Sequence, residues 1–306
     1  MKKITITFIF AIFALGAFAQ YDVHHTQFMH NKMAINPAYT GDREVFAMTA
    51  IYRNQWFGID GAPKTFTMHA HTPFLNKRNG IGLSIINDRI GMVNTTYAGV
   101  SYAYRIPLND EWKLSIGVQG RVEHSKLDWS KSDPLDQGDN TIPSNLTTKT
   151  SPNFGMGFYL SSKKYYVGLS IPTLLKSTIY DDNPIAGTSI NSQRSYYLMG
   201  GAMMRVNQNI QFSPNVLFTY NPSTPFEMDL NASFIFMETF WLGASYRLGD
   251  SVDGLIMFQV NDQLRIGAAF DYTLTKLQEF SPGSFEILLD YNFKFKGKRL
   301  NNIRYF

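Results

Sequence analysis

Gln27–Pro63 reads QFMHNKMAINPAYTGDREVFAMTAIYRNQWFGIDGAP. The stretch opens polar and irregular. Asn36-Pro37-Ala38-Tyr39-Thr40-Gly41 then breaks any helix: Pro37 fixes its own φ and disfavours the α region for Asn36, and Gly41 accepts a positive φ. Val45 to Arg53 follows as a strand-like run. It ends in the aromatic loop Gln55-Trp56-Phe57-Gly58 and a second turn, Gly61-Ala62-Pro63. The pattern predicts a leader that feeds one strand with a hairpin loop behind it. A leader packed only for stability reads the same way. No catalytic motif is present in it.

Outward from this stretch, period two dominates. Trp112, Leu114, Ile116, Val118 and Val122 alternate with Lys113, Ser115, Gly117, Gln119, Arg121 and Glu123. Leu264, Ile266, Ala268, Phe270 and Tyr272 alternate with Arg265, Gly267, Ala269 and Asp271. Ile287, Leu289, Tyr291 and Phe293 alternate with Leu288, Asp290 and Asn292. A soluble sandwich also alternates, but here Trp and Tyr sit near the ends of the apolar face, as in the girdles of a membrane barrel. The pattern predicts about 14 antiparallel strands. They lie near 44–53, 65–74, 80–87, 95–106, 111–124, 153–161, 165–171, 193–206, 210–220, 226–236, 240–248, 253–260, 263–273 and 284–295.

Targeting agrees with this reading. Lys2 and Lys3 precede an apolar run to Phe18, and Ala17-Phe18-Ala19 offers a small-x-small cleavage site, so residues 1–19 read as a signal peptide. A retained anchor is the alternative. The 306 residues include no cysteine, which excludes disulfides and thiolate metal sites. Without Lys2 and Lys3 the chain has 26 basic and 24 acidic residues, and no clustered basic face of the kind nucleic acid requires. No later segment has the run of about 18 apolar residues that a membrane helix needs.

Connection lengths predict orientation. Single-chain bacterial barrels have short periplasmic turns and longer outside loops. The connections centred on Asn76, Asn109, Ser162, Asn207, Glu238 and Asp262 are short, whereas 54–64, 125–152, 172–192 and 274–283 are long. Both termini are therefore expected in the periplasm. Residues 20–44 form an N-terminal periplasmic or plug segment, 45–295 the barrel and 296–306 a periplasmic tail. Phe28, Met29, Met33, Ile35 and Tyr39 are each worth roughly 1.5–3 kcal/mol if buried, so the leader should dock in the periplasmic mouth with Pro37 at a bend. A flap bound to another protein is the alternative.

Residues that could carry chemistry are few. His69 and His71 share one strand face without an identifiable third ligand, and His24, His25 and His30 cluster in the leader. Arg121, Glu123, Arg205, Arg247, Arg265, Asp271 and Asp290 fall on the lumen face, where charges pair or line water. Asp88 with Arg89, and Asp250 with Asp253, read as loop residues.

QFMHNKMAINPAYTG and RNQWFGIDGAP are followed in order by Asn79-Gly80-Ile81-Gly82, Asn87-Asp88-Arg89-Ile90-Gly91, Trp241-Leu242-Gly243-Ala244-Ser245-Tyr246-Arg247 and Gly283-Ser284-Phe285-Glu286-Ile287. In these motifs the chain resembles the PorP/SprF family of outer-membrane proteins of the type IX secretion system, over essentially its whole mature length. The residues carrying the signature are Asn36, Pro37, Ala38, Gly41, Arg53, Gln55, Trp56, Gly58, Gly61, Ala62, Pro63, Trp241, Gly243, Tyr246 and Arg247. They are shape motifs, silent about chemistry. The resemblance implies an all-β transmembrane barrel in the outer membrane of a Gram-negative bacterium. It also implies a non-enzymatic part in secretion and surface anchoring of specific cargo, such as large gliding-associated adhesins. Implied partners are the cargo's C-terminal sorting domain, periplasmic ring and lipoprotein components, and outer-membrane lipid. No cofactor, metal or nucleic acid is implied. The alternative is a plugged channel for a small or hydrophobic solute.

Overall fold

The computed structural model describes residues 23–43, 45–75, 77–131, 147–180 and 190–293. The expected signal peptide, the tail and the middles of the two longest loops lie outside them. The strands are β1 (Phe46–Asn54), β2 (Lys64–Phe74), β3 (Asn79–Ile90), β4 (Val93–Pro107), β5 (Lys113–Leu127), β6 (Thr147–Ser161), β7 (Tyr165–Ile171), β8 (Ser177–Tyr180), β9 (Ile190–Ser192), β10 (Tyr196–Ala202), β11 (Met204–Arg205), β12 (Ile210–Tyr220), β13 (Glu227–Phe236), β14 (Phe240–Arg247), β15 (Ser251–Gln259), β16 (Leu264–Thr273) and β17 (Ser284–Phe293). β8 and β9 form a separate hairpin. β10 and β11 are two segments of one wall strand, interrupted at Met203. The wall is therefore a closed antiparallel barrel of 14 strands. β1 pairs with β17, and β10 pairs with both β7 and β12, which completes the ring.

The wall is inside out relative to a soluble protein. Outward side chains are apolar and exposed: Leu83 is 60% exposed and Leu289 48%. Asp290, the next residue after Leu289, faces inward and is 1% exposed. Only a lipid solvent makes the outward belt favourable, and closure leaves no unpaired sheet edge for hydrocarbon to strand. β4, β5 and β6 each run 15 residues, more than the roughly 9–11 needed to cross, so this side of the wall stands taller than the opposite one.

Five side chains are placed otherwise than the sequence expectation has them. Asp88 and Arg89 are strand residues, because β3 and β4 continue to a two-residue turn at Gly91-Met92; Asp88 accepts a hydrogen bond from Thr65 at 2.6 Å. Asp253 lies within β15 and is buried in the lumen. Arg205 is exposed, since β11 carries it past the break at Met203 to the rim. Leu288, assigned to the polar face, joins Ile51, Ile235, Trp241 and Met257 in an apolar cluster inside the barrel.

Candidate functional site

The lumen is occupied by residues 23–43 of the chain itself. A turn at Phe28–His30, one helical turn at Lys32–Ile35 and another at Pro37–Tyr39 fold the leader compactly. Asn36 makes the bend: its side chain accepts a hydrogen bond from the Ala38 amide at 2.9 Å and donates to the Phe158 carbonyl at 2.9 Å. Pro37 starts the next turn, where its missing N–H costs nothing. Phe28, Met29, Met33, Ile35, Ala38 and Tyr39 pack with Tyr159, Tyr166, Met199, Leu217 and Leu255 of the wall.

Glycines on the inner face shape the wall to this segment. A Cβ on Gly117 would overlap the Ala38 backbone, and one on Gly157 would overlap the Asn36 side chain. Gly41, at φ +74°, donates to His71 Nδ1 at 2.9 Å. Alternation along β5 puts Gly117 on the inner face but does not show what it meets there. Glycine at inward positions of several strands was the available signal.

The leader descends from the end with the long loops to the end with the short turns. Near its start, His24 contacts Glu227, and Thr26 and Gln27 donate their amides to Glu286, each at 3.0 Å. At its finish, Asp42 pairs with Lys113 and Arg105 reaches the Thr40 carbonyl at 3.3 Å. β1 then climbs back antiparallel to it. The start of the described chain thus lies at the long-loop end, and β1 begins at the short-turn end. Apolar content predicted docking, but direction depends on which wall residues each leader group meets.

Charges bind the leader to the strands that close the barrel. Arg53 of β1 reaches Asp271 at 2.7 Å, Glu286 at 3.4 Å and the Thr26 hydroxyl at 2.7 Å. Asp290 of β17 takes Arg265 at 2.8 Å and Thr49 at 2.8 Å, and also pairs with Arg43. Arg247 pairs with Asp229 at 2.7 Å and Asp250 at 3.4 Å. These groups are nearly all buried, so each charge needs its partner. Lys32 lies 4.1 Å from the Tyr166 ring centre and 5.4 Å from that of Tyr39. Burial, helped by Arg43, pushes its ammonium down to about 7. Burial also lowers His30 to about 3, and burial with Arg247 holds His24 well below its ordinary value.

The rest of the signature forms a clasp at the long-loop end. Trp56 takes a positive φ, and its amide donates to the Ser284 hydroxyl at 3.0 Å. The Phe57 amide donates to the Gly283 carbonyl at 3.0 Å, and the Phe57 ring meets those of Phe270 and Phe285. Gly58 and Gly61 take positive φ, and Gly91 donates to the Gly61 carbonyl at 2.8 Å. Gln55 donates to the Pro63 carbonyl at 2.9 Å, and Ala62 to that of Ile59 at 3.2 Å. The loop thereby ties the β3–β4 turn to the connection before β17. On β14, Trp241 and Arg247 face the lumen, Tyr246 faces outward, and Gly243 leaves room for Ser233. The structure thus divides the signature among plug, clasp and wall.

Among the described residues no group of three or more His, Asp or Glu side chains is arranged to hold a metal ion. His69 and His71 stack at 6.4 Å, His71 accepts from Gly41, and His25 contacts Thr67 at 3.1 Å.

A closed antiparallel wall with an apolar exterior and a polar, filled interior defines an outer-membrane β-barrel. Residues 17–291 match the family described as "Type IX secretion system membrane protein PorP/SprF", and the chain belongs to it. No curated protein matches the chain. Among solved structures, the CymD monoaromatic hydrocarbon channel is similar in fold, with TM-score 0.52 and 14% identity over 87% of this chain and 93% of that one. Omp33 of Acinetobacter baumannii gives TM-score 0.48 and 8% identity, covering 82% of this chain and 100% of that one. A FadL homologue of Pseudomonas aeruginosa gives 0.47 and 13%, covering 86% and 94%.

Proposed function

We propose that the chain is a non-enzymatic outer-membrane component of type IX secretion that supports export and surface anchoring of specific cargo, such as large gliding-associated adhesins. Family membership carries the reading. The filled lumen supports it: a barrel occupied by its own leader serves as a fixed platform rather than a diffusion pore. In this reading residues 1–19 are removed, 20–44 plug the barrel formed by 45–295, and 296–306 extend into the periplasm. Loops outside meet the cargo's C-terminal sorting domain, while the short-turn face meets periplasmic ring and lipoprotein components. No step needs a catalytic residue.

Deleting the gene should stop one or a few large cargo proteins from reaching the surface, with outer-membrane permeability unchanged. Loss of uptake of a small or hydrophobic solute, with cargo at normal levels, would replace this reading by a channel.

A further inference from the structure

At the long-loop end, the outer face of the wall carries a row of cations. Register pairs Lys64 of β2 with Arg89 of β3, Arg89 with Asn94 of β4, and Asn94 with Lys126 of β5. Directly paired residues share a face, and alternation makes this face the outward one. Lys64 has the parity of Phe66, Arg89 that of Leu83 and Ile85, and Lys126 that of Val118 and Val122, all exposed to lipid. Lys64, Arg89 and Lys126 are themselves exposed. Two rows closer to the short turns, the same face carries Met68, Ile85, Ala98 and Val122, so the cations begin where the apolar belt ends.

Folding alone gives no reason for this row. Like charges directly opposite one another, as Lys64 and Arg89 are, destabilise a sheet. Among the described residues none of the three cations has a carboxylate within ion-pair distance. The outward positions of strands β1 to β6 hold no Asp or Glu. A membrane wall does not need such a row either: across the barrel the matching strand ends carry Tyr220, Tyr246, Val252 and Tyr272 outward, and β12 to β16 have no outward Lys or Arg. We infer that Lys64, Arg89 and Lys126 form a docking site for a lipid headgroup bearing more than one phosphate, the phosphorylated glycolipid of the outer leaflet. Its acyl chains lie on the apolar rows beneath. From β2 to β5 is three strand spacings, roughly 14 Å. Arg89 presents its fork to one phosphate beside Lys64, and Lys126 is left for a second, separated one. That the leaflet at this end is the outer one rests on the orientation in the proposed function.

Native mass spectrometry of the detergent-solubilised protein, titrated with diphosphorylated lipid A, tests the site. Lys64→Gln, Arg89→Gln and Lys126→Gln combined should weaken binding of the first lipid A by roughly fivefold per lost charge. Arg78→Gln, Lys163→Gln and Lys164→Gln combined, which removes three exposed cations from the short turns, should leave it unchanged. Dephosphorylated lipid A should bind the unsubstituted protein weakly, and millimolar inorganic phosphate should not displace the intact glycolipid. Equal losses in the two triple variants, or equal binding of the dephosphorylated lipid, overturn the site. Displacement by inorganic phosphate would make it a free-phosphate site, and tighter binding of phosphatidylglycerol than of lipid A would give it a single-phosphate lipid; either overturns the assignment. Cargo secretion does not enter the readout, so the site and the proposed function fail separately.

Discussion

Ala38 of the plug lies so close to Gly117 of β5 that a single added methyl group on the glycine would overlap the Ala38 backbone. The wall and the plug are therefore fitted at this point, not merely adjacent. Overpacking a fitted interior costs typically about 1–3 kcal/mol. Gly117→Ala should leave the barrel folded but loosen the leader, so that trypsin cuts at Lys32 or Arg43 in the detergent-solubilised protein. Gly120→Ala on the same strand is the control, since its nearest added contact is Phe154 at 4.0 Å. Equal resistance of both variants to trypsin would show that the fit does not hold the leader.

Arg53 joins β1, β16, β17 and the leader through Asp271, Glu286 and Thr26. Removing one partner of a buried ionic cluster leaves the others uncompensated, at about 3–5 kcal/mol. Arg53→Ala should lower the unfolding midpoint measured by heat-dependent gel mobility, and much more than Arg78→Ala at the exposed short-turn rim. Similar midpoints for the two variants would mean that water reaches Asp271 and Glu286 and screens them.

Burial lowers His30 to about 3 and His24 well below its ordinary value, so both are neutral when docked. A released imidazole takes up a proton below about 6.5, whereas the docked one does not. Docking is thus fully supported above that pH and weakens as pH falls towards 3. Tryptophan fluorescence during thermal unfolding should show a midpoint that drops between pH 6.5 and 4. The drop should be shallower in the double variant His24→Gln, His30→Gln. An unchanged slope in that variant would remove these histidines from the explanation.

Period-two alternation in stretches such as Leu264–Tyr272 determined the strands, their number and which residues face lipid, because side-chain direction along a strand is fixed by the backbone. Connection lengths determined which end carries the short turns. Pro37 and Gly41 mark the leader as bent by sequence alone, since their φ limits are local. The partners of that leader were not local. That Ala38 needs Gly117, that Thr26 shares Arg53 with Asp271, and that Thr26 and Gln27 lie at the long-loop end all depend on residues up to 260 positions apart meeting across a closed ring. Only closure of β1 on β17 brings them together. The same holds for Asp88 and Asp253, whose strand placement follows from how far paired neighbours extend the sheet. Local backbone preference wrote the wall and the leader's apolar residues called for docking, while the tertiary ring alone decided which wall residues hold the leader and which way it runs.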